Sequence, residues 1–207
     1  MLFDLDLREY QVLFLVAVAV CALLVASPAL SRLLVYPRTE SFTEMWLLGP
    51  NHMAEDYPFN LTSGSNYNVY LGLANHLGYC AYYVVEVKFR NETQSSPTFL
   101  GSVGNLTSSN LTSLYNLTVF ASDEGSWEER LTFSFDYGFN SSLMQVQFHS
   151  MVLRGEALNL VGESTAWNAT KKVFFGNLLF ETWIYNATLN DFQFHGRSVD
   201  LKFNMTT

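Results

Sequence analysis

The chain has 207 residues, of which 14% are charged and 15% aromatic, and its formal net charge is −8. This composition excludes a disordered protein, because disorder requires low hydrophobicity and high charge. The acidic balance argues against nucleic acid or an anionic lipid surface as a partner, since both require a basic footprint. The length suits one domain with an appendage.

The appendage is an apolar segment at the N-terminus. The 22 residues from Tyr10 to Ser31 carry no charged side chain, and as a helix they would span about 33 Å, enough to cross a bilayer. We therefore predict a cytoplasmic tail at residues 1–10, a transmembrane helix at 11–31 that contacts membrane lipid, and a linker at 32–41. A cleaved signal peptide is the alternative, but it requires a basic leader, and this leader is acidic.

Orientation follows from the N-glycosylation motif Asn-x-Ser/Thr. The motif occurs nine times, at Asn60, Asn91, Asn105, Asn110, Asn116, Asn140, Asn168, Asn186 and Asn204. Composition alone would give about three, and none precedes residue 60. Although Arg32 and Arg38 mildly favour the opposite orientation, the excess predicts that residues 42–207 form an extracellular, glycosylated domain.

Within that domain the apolar residues alternate with period two, as in β-strands. The alternation is clear in residues 81–90, 131–136 and 144–149, where Lys88 and its polar neighbours are predicted to face solvent. Further strands are predicted in FTEMWLL, NVYLGLA, LYNLTVFA, VFFGNLLFETWIYNA and VDLKFNM. About eight such strands with Gly, Asn and Ser between them predict a mainly β protein, an antiparallel immunoglobulin-like β-sandwich in architecture.

The sequons also predict which way side chains face, because a glycan cannot enter a core. Asn116 facing outward sends Leu117 and Val119 inward, and Asn186 facing outward would send Trp183 and Tyr185 inward. Two segments that carry four sequons between them, residues 91–113 and 154–171, are predicted to be loops.

Seven segments between residues 40 and 188 carry a family resemblance: FTEMWLLGP, AEDYPFNLTSG, VYLGLANH, YYVVEVKF, WEERLTFSFD, MQVQFHS and LFETWIYNAT. In them the chain resembles the archaeal membrane-protein family known as domain of unknown function 1616. The resemblance implies an archaeal, externally facing β-domain and implies no catalytic residues. Family members often have several membrane helices before this domain, whereas one is predicted here.

Metal and catalytic constellations are not evident. The four histidines are scattered without zinc spacing, and Cys80 lacks the neighbouring His of a copper site. Glu55 with Asp56 is more typical of a hydrated turn than of a Ca²⁺ site, and Glu128 with Glu129 would point to opposite faces of one strand rather than flank a glycosidic bond. A disulfide between Cys21 and Cys80 would join the membrane segment to the outside domain and is not expected. We predict no catalytic residues, no metal and no cofactor other than covalent N-glycans.

Two functions are compatible with these features. The first is a non-catalytic, single-pass surface protein that acts as a structural or accessory subunit among other membrane or envelope proteins. The second is a module that binds a solute or carbohydrate through an exposed Trp, for which Trp167 is the best candidate because it precedes a sequon, whereas Trp46 and Trp183 are expected in the core. An extracellular filament subunit that pairs strands between copies is a further alternative.

Overall fold

The computed structural model describes residues 10–33, 41–94 and 107–207, with the side chains of the N-terminal helix described as far as Ser27. The chain divides into two compact units, Met1–Glu40 and Ser41–Thr207. Asn105, most of the predicted linker and nearly all of the predicted tail lie outside the described residues. The predicted loop at 91–113 is described at both of its ends.

The first unit contains helix α1, Gln11–Leu33, at the place of the predicted transmembrane helix. Apolar residues, mostly Leu, Ala and Val, run from Val12 to Ala26 without a Gly or Pro, so no helix-breaking residue interrupts the backbone hydrogen bonding there. The described side chains of this helix are almost all exposed. Taken over the part of the chain that the structure describes, no helix is long and apolar enough to cross a membrane.

The second unit is built from strands, and the mainly β prediction is confirmed. The strands are β1 Phe42–Leu48, β2 Asn60–Leu61, β3 Tyr67–His76, β4 Ala81–Arg90, β5 Ser113–Ala121, β6 Ser126–Asn140, β7 Gln145–Leu153, β8 Glu156–Asn159, β9 Ser164–Asn168, β10 Val173–Asn186 and β11 Asp191–Met205. All five strands predicted from FTEMWLL to VDLKFNM are present.

The strands form one hydrogen-bonded sheet that consists of two groups. The first group has the order β1-β3-β6-β7-β8, and all its pairs are antiparallel. The second group has the order β5-β4-β10-β11-β2, where β2 is parallel to β11 and the other pairs are antiparallel. Strand β9 pairs with both β7 and β10 and so joins the two groups.

The hydrophobic core lies where the inner faces of the two groups meet. Phe135 of β6 is 1% exposed, and its ring centroid lies 6.1 Å from that of Phe89 in β4 and 5.3 Å from that of Phe203 in β11. The alternation predicted for β4 and β6 is confirmed, because every second side chain from Ala81 to Phe89 and from Leu131 to Phe135 is buried. Leu117 and Val119 also face inward as predicted.

Two facing predictions are wrong. Trp183 and Tyr185 lie on the outer face of β10, where they pack on Phe194 and Phe192 of β11. Asn186 is the last residue of β10, so the turn that follows, rather than the alternation of the strand, sets its direction. Lys88, predicted to face solvent, is only 3% exposed.

The predicted loop at 154–171 contains structure of its own. Strands β8 and β9 lie in it, and both pair with β7. Each strand is only four or five residues long, which is too short for a period of two to stand out from the surrounding turn residues. The segment therefore forms part of the sheet and is not only a surface loop.

Candidate functional site

A surface groove lies between strand β9 and the turn that follows β4, and we call it the Trp167 groove. Its walls are formed mainly by residues 91–93 and 164–168, and its volume is about 430 Å³. The sequence suggested that Trp167 lies in a loop, but it belongs to β9 and is 38% exposed. The groove brings this indole together with two sequon asparagines, Asn91 and Asn168.

Trp167 is positioned by the hairpin that joins β9 to β10. Trp167 pairs with Phe174 across the hairpin, and the turn is closed by the backbone N–H of Lys172, which donates to the carbonyl of Asn168 at 2.7 Å. The centroid of the Trp167 ring lies 4.9 Å from that of Phe174, which is only 4% exposed. A core residue thus holds the indole in place while part of it faces the groove.

The polar wall of the groove is organised by Glu92. Its carboxylate accepts a hydrogen bond from Nζ of Lys171 at 2.7 Å and another from Nδ2 of Asn168. These contacts with Lys171 and then Asn168 lower the pKa of Glu92, because each favours the charged carboxylate. Glu92 therefore links the β4 side of the groove to the β9–β10 turn.

Asn91 also belongs to the polar wall of the groove. Its Nδ2 donates to the carbonyl of Ser164 at 3.2 Å. Its Oδ1 accepts from the backbone N–H of Thr93 at 3.0 Å and from the hydroxyl of Thr93 at 2.8 Å. This is an Asx turn, in which the side chain of a sequon asparagine bonds the Thr of the same sequon.

The arrangement is suited to holding a sugar ring. An aromatic face stacks on the apolar C–H face of a pyranose, while amides and a carboxylate bond its hydroxyl groups. Glu92 is the one carboxylate among the described residues that line the groove.

The described sequon asparagines are all accessible at least in part. Asn60, Asn110 and Asn116 are exposed, and Asn91, Asn140, Asn168, Asn186 and Asn204 are half-buried. Like Asn91, both Asn140 and Asn186 accept a hydrogen bond from the backbone N–H two residues ahead, at 3.1 and 2.9 Å. These two asparagines end strands β6 and β10, so their Asx turns carry the chain out of the sheet.

A second cluster lies on the outer face of β1, β3 and β6. Nε1 of Trp46 donates to Glu128 at 2.8 Å, and His52 contacts the other carboxylate oxygen. The bonds from Trp46 and then His52 lower the pKa of Glu128. Trp46, expected in the core, instead lies half-buried over Gly72. Glu129 bonds Arg154 at 2.7 Å, so the two glutamates diverge as predicted.

A third feature, which the sequence did not reveal, is an exposed group of rings that we call the aromatic surface. It consists of Tyr79, Tyr82, Phe120, Tyr185 and Phe192, at the end of the second strand group where β4 begins and β10 ends. Phe120 is 72% exposed and Tyr79 58%. The Phe192 centroid lies 5.3 Å from that of Tyr82 and 5.4 Å from that of Tyr185.

A buried ion-pair cluster lies on the outer face of β4 and β10. Nζ of Lys88 contacts Glu181 at 2.6 Å and Glu86 at 2.9 Å. The second carboxylate oxygen of Glu181 accepts from the backbone N–H of Ser109 at 2.7 Å. Burial by itself lowers the pKa of Lys88, but the bonds with Glu181 and Glu86 outweigh it and raise that pKa above its ordinary value. The segment containing Ser109 thus covers the sheet here.

A buried hydrogen-bond chain closes one end of the core. Nε2 of His195 lies 2.7 Å from the hydroxyl of Thr43, which lies 3.1 Å from the hydroxyl of Tyr83. Tyr83 donates to Oδ1 of Asn75 at 3.0 Å. Burial, and then the charge of Arg197, lowers the pKa of His195. This chain of hydrogen bonds links β1, β3, β4 and β11.

The described residues contain no group of three His, Cys, Asp or Glu side chains that could hold a metal ion. The histidines have separate partners, since His76 lies 2.6 Å from Glu124 and His149 lies 3.4 Å from Asp136. Asp56 accepts from Asn51 at 3.4 Å in an exposed turn. Cys21 and Cys80 are both free.

Comparison with solved structures finds similarity at low sequence identity, of which three examples follow. The chain is similar to a β-glucosidase from Listeria innocua in complex with glucose, at 8% identity and a TM-score of 0.38, over 83% of this chain and 17% of that one. It is similar to a CARDB domain from Pyrococcus furiosus in complex with di-metal ions, at 8% identity and a TM-score of 0.35, over 81% and 90% of the two chains. A human ASH/PapD-like domain of CEP192 gives 10% identity and a TM-score of 0.28, over 83% and 89%. Scores this low carry no conclusion about fold or function.

No curated protein matches the chain. A family profile does match it, over residues 37–149, and that family is described as a domain of unknown function, DUF1616. The matched range includes five of the seven segments that carried the resemblance in full and all but the last residue of MQVQFHS, and only LFETWIYNAT lies wholly beyond it. Since more than half of the sequence is matched, the chain belongs to the DUF1616 family.

Proposed function

We propose that this protein is a non-catalytic, membrane-anchored and N-glycosylated cell-surface protein, whose immunoglobulin-like β-sandwich serves as a structural or accessory subunit of an envelope or membrane protein complex. The observation that carries the proposal is the placement of the sequons. All nine follow the apolar segment, and each of the eight described asparagines is exposed or half-buried. Residues selected for glycosylation have to be accessible in this way, because a glycan is large and hydrated.

The apolar segment supports the anchor. Residues 11–31 carry no charge, and the described side chains of α1 are mostly apolar and almost all exposed. Exposed Leu, Val and Phe in such a run are favourable in lipid and costly in water. The acidic residues of the leader would then remain in the cytoplasm and residues 42–207 outside the cell.

The aromatic surface supports a protein partner. Tyr and Phe are enriched where proteins meet, and contiguous exposed apolar groups mark interaction sites. Phe120 and Tyr79 are each more than half exposed. A partner that covered these rings would remove a large apolar area from water.

Glycopeptide mass spectrometry of the protein from its native membranes tests the topology. We expect Asn-linked glycan at most of the nine sequons and protease protection of residues 1–10 in sealed vesicles. Unmodified Asn at all nine positions would overturn the proposed orientation. Cleavage of the leader by protease added outside the vesicles would do the same.

Site-specific photocrosslinking tests the partner. A photoreactive residue replaces Phe120 in the aromatic surface, and the matched control replaces Val161, which is 75% exposed on the turn between β8 and β9. We expect a discrete crosslinked band from position 120 in intact cells and none from position 161. The subunit proposal fails when both positions give only the uncrosslinked monomer.

A carbohydrate-binding module is the second candidate, and the Trp167 groove favours it. The indole is 38% exposed and lies beside hydrogen-bonding side chains. A glycan array with the purified full-length protein and with Trp167→Ala examines this function. Binding that depends on Trp167 would support it, and an array on which the parent binds nothing would reject it.

A further inference from the structure

We propose that the Trp167 groove is filled by the protein's own glycan, carried by Asn168 or Asn91, whose first sugar ring packs on the indole of Trp167. This inference rests on the proposed glycosylation and deepens it, because it gives one of the glycans a defined place on the surface. The observation behind it is the juxtaposition of an exposed Trp and two sequon asparagines in the walls of one groove.

The local hydrogen bonding allows a sugar to be attached without dismantling the groove. Attachment at Nδ2 replaces one of the two amide hydrogens and leaves the other. Among the described residues, Nδ2 of Asn168 donates to Glu92 and Nδ2 of Asn91 donates to Ser164, one bond each. Because the modified amide retains one N–H donor, a sugar on either asparagine is compatible with one hydrogen bond from Nδ2.

The dimensions also fit. A volume of about 430 Å³ falls within the range of small-ligand sites and accommodates one or two pyranose rings. The indole is immobilised by Phe174, 4.9 Å away between centroids, so little side-chain freedom remains to be lost when a ring stacks on it. Glu92, held by Lys171 at 2.7 Å, presents a carboxylate to the sugar hydroxyl groups.

The experiment removes each glycan through the Thr of its sequon, so that the Nδ2 bonds of both asparagines remain. Thr93→Val also removes the hydroxyl bond to Oδ1 of Asn91, which keeps its bond from the backbone N–H of residue 93. Thr170→Val abolishes the sequon of Asn168, and Thr170→Ser preserves it as the matched control. Thr93→Val and Thr93→Ser do the same for Asn91. Thr118→Val removes the glycan of Asn116, which is exposed on β5 outside the groove, and serves as the control for glycan loss in general.

Hydroxyl-radical footprinting with mass spectrometry reads the oxidation of Trp167 in the full-length glycosylated protein. We expect the rate at Trp167 to be roughly halved by the glycan, since a stacked ring covers one of the two faces of the indole. The rate should rise in Thr170→Val or in Thr93→Val, which identifies the attachment site, and stay unchanged in the Ser variants and in Thr118→Val. Equal rates in parent, Thr170→Val and Thr93→Val would overturn the inference.

A thermal double-mutant cycle provides a second readout. We expect loss of the groove glycan to lower the Tm by about 2–4 °C in the parent and to have no effect in a Trp167→Ala background, because the two groups then act as one unit. If the sequons are occupied and the Tm shifts from glycan loss and from Trp167→Ala are additive, the sugar does not pack on Trp167. This result would leave the proposed function unaffected. If the glycopeptides show that both Asn91 and Asn168 are unmodified, no glycan of the protein fills the groove and the inference is wrong. Footprinting with added free glycan then tests whether a separate glycan ligand binds in the groove.

Discussion

Glu181 is the residue in this fold whose environment is least like that of an ordinary glutamate. It is 0% exposed, and its two oxygens are bonded by Lys88 and by the backbone of Ser109. A buried carboxylate is tolerable only when it is paired and hydrogen-bonded, as it is here. The chain thereby fixes a segment 72 residues away along the sequence onto the outer face of β10.

Removing one member of this buried pair should be costly. We expect Glu181→Ala to lower the free energy of unfolding by about 3–5 kcal/mol, because it leaves the Lys88 charge buried with only Glu86 as partner. Lys202→Ala is the control, since Lys202 and Asp200 form a more exposed pair at 3.5 Å that is worth at most about 1 kcal/mol. Urea unfolding of the full-length protein measures both. Equal losses in the two variants would contradict this view of Glu181.

His195 should make stability depend on pH. Burial and the charge of Arg197 lower its pKa, so the unfolded chain binds a proton more readily than the folded one. Stability is then complete above the unfolded value of about 6.5 and declines as the pH falls from there through the lower folded pKa. We expect His195→Gln to weaken this decline between pH 8 and pH 5, as measured by urea midpoints. An unchanged pH profile would show that other groups cause the decline.

At the scale of elements, the pairing of β1 with β3 depends on a glycine. Trp46 of β1 lies directly across from Gly72 of β3, and a Cβ at Gly72 would overlap the indole. The absence of a side chain thus lets the Trp46 ring lie flat on the sheet and reach Glu128 of the next strand at 2.8 Å. A strand glycine commonly marks such a close approach.

We expect Gly72→Ala to destabilise the protein by about 1–3 kcal/mol, the usual result of forcing an extra group into a packed site. The penalty should shrink in a Trp46→Ala background, where the overlap is gone. Gly138→Ala in β6 is the control, because its new Cβ would meet only His149 at 3.5 Å, an ordinary contact. Thermal unfolding with tryptophan fluorescence distinguishes these outcomes. A Gly72→Ala variant as stable as the parent would refute the packing argument.

The same elements show what sequence reasoning reaches. The alternation of Tyr83, Val85 and Val87 predicts the inner face of β4 because burial on one side of a strand imposes a period of two. On the outer faces of β4 and β10, burial could not be predicted from the alternation. Lys88 is buried by Glu181, 93 residues away, and Trp183 is covered by Phe194 on the outside. Contacts between distant segments leave no local pattern, so neither residue could be placed from its neighbours in the sequence.

The candidate site was predictable only in part. Trp167 stood out because it precedes a sequon, and the structure does place it at a groove. Glu92 and Lys171 gave no signal, since their contact at 2.7 Å joins segments that are unrelated in sequence. The aromatic surface was missed for a similar reason. Its rings come from four segments of the chain, and large aromatic residues are ordinarily assigned to a core.

At the scale of the whole molecule, the family match and the folding unit do not coincide. The match ends at residue 149, inside β7, whereas β10 is the strand that pairs with β4, β9 and β11. Without β10 and β11, the inner face of β4 has only β5 beside it in the second group. The part of the sequence that is recognisable therefore lacks about a third of the buried core residues.

We expect a chain truncated after Leu153 to remain unfolded, with rapid proteolysis and no cooperative thermal transition. A full-length chain cut between Arg154 and Gly155, in the exposed β7–β8 turn, should stay folded as a two-fragment complex, because the cut breaks no strand. This nicked protein is the matched control. Circular dichroism and limited proteolysis measure both, and a truncated chain that melts cooperatively would show that residues 41–153 fold alone.

The two outermost strands of the second group have a consequence for solubility. Among the described residues, β5 pairs with β4 and β2 with β11, and the outer edge of β5 offers backbone groups to an additional strand from another molecule. Asn116 lies on β5 and Asn60 on β2, and both are exposed sequon positions. Sugars at these two places would sterically hinder strand pairing between copies of the protein that are crowded on one surface, and would thereby oppose aggregation.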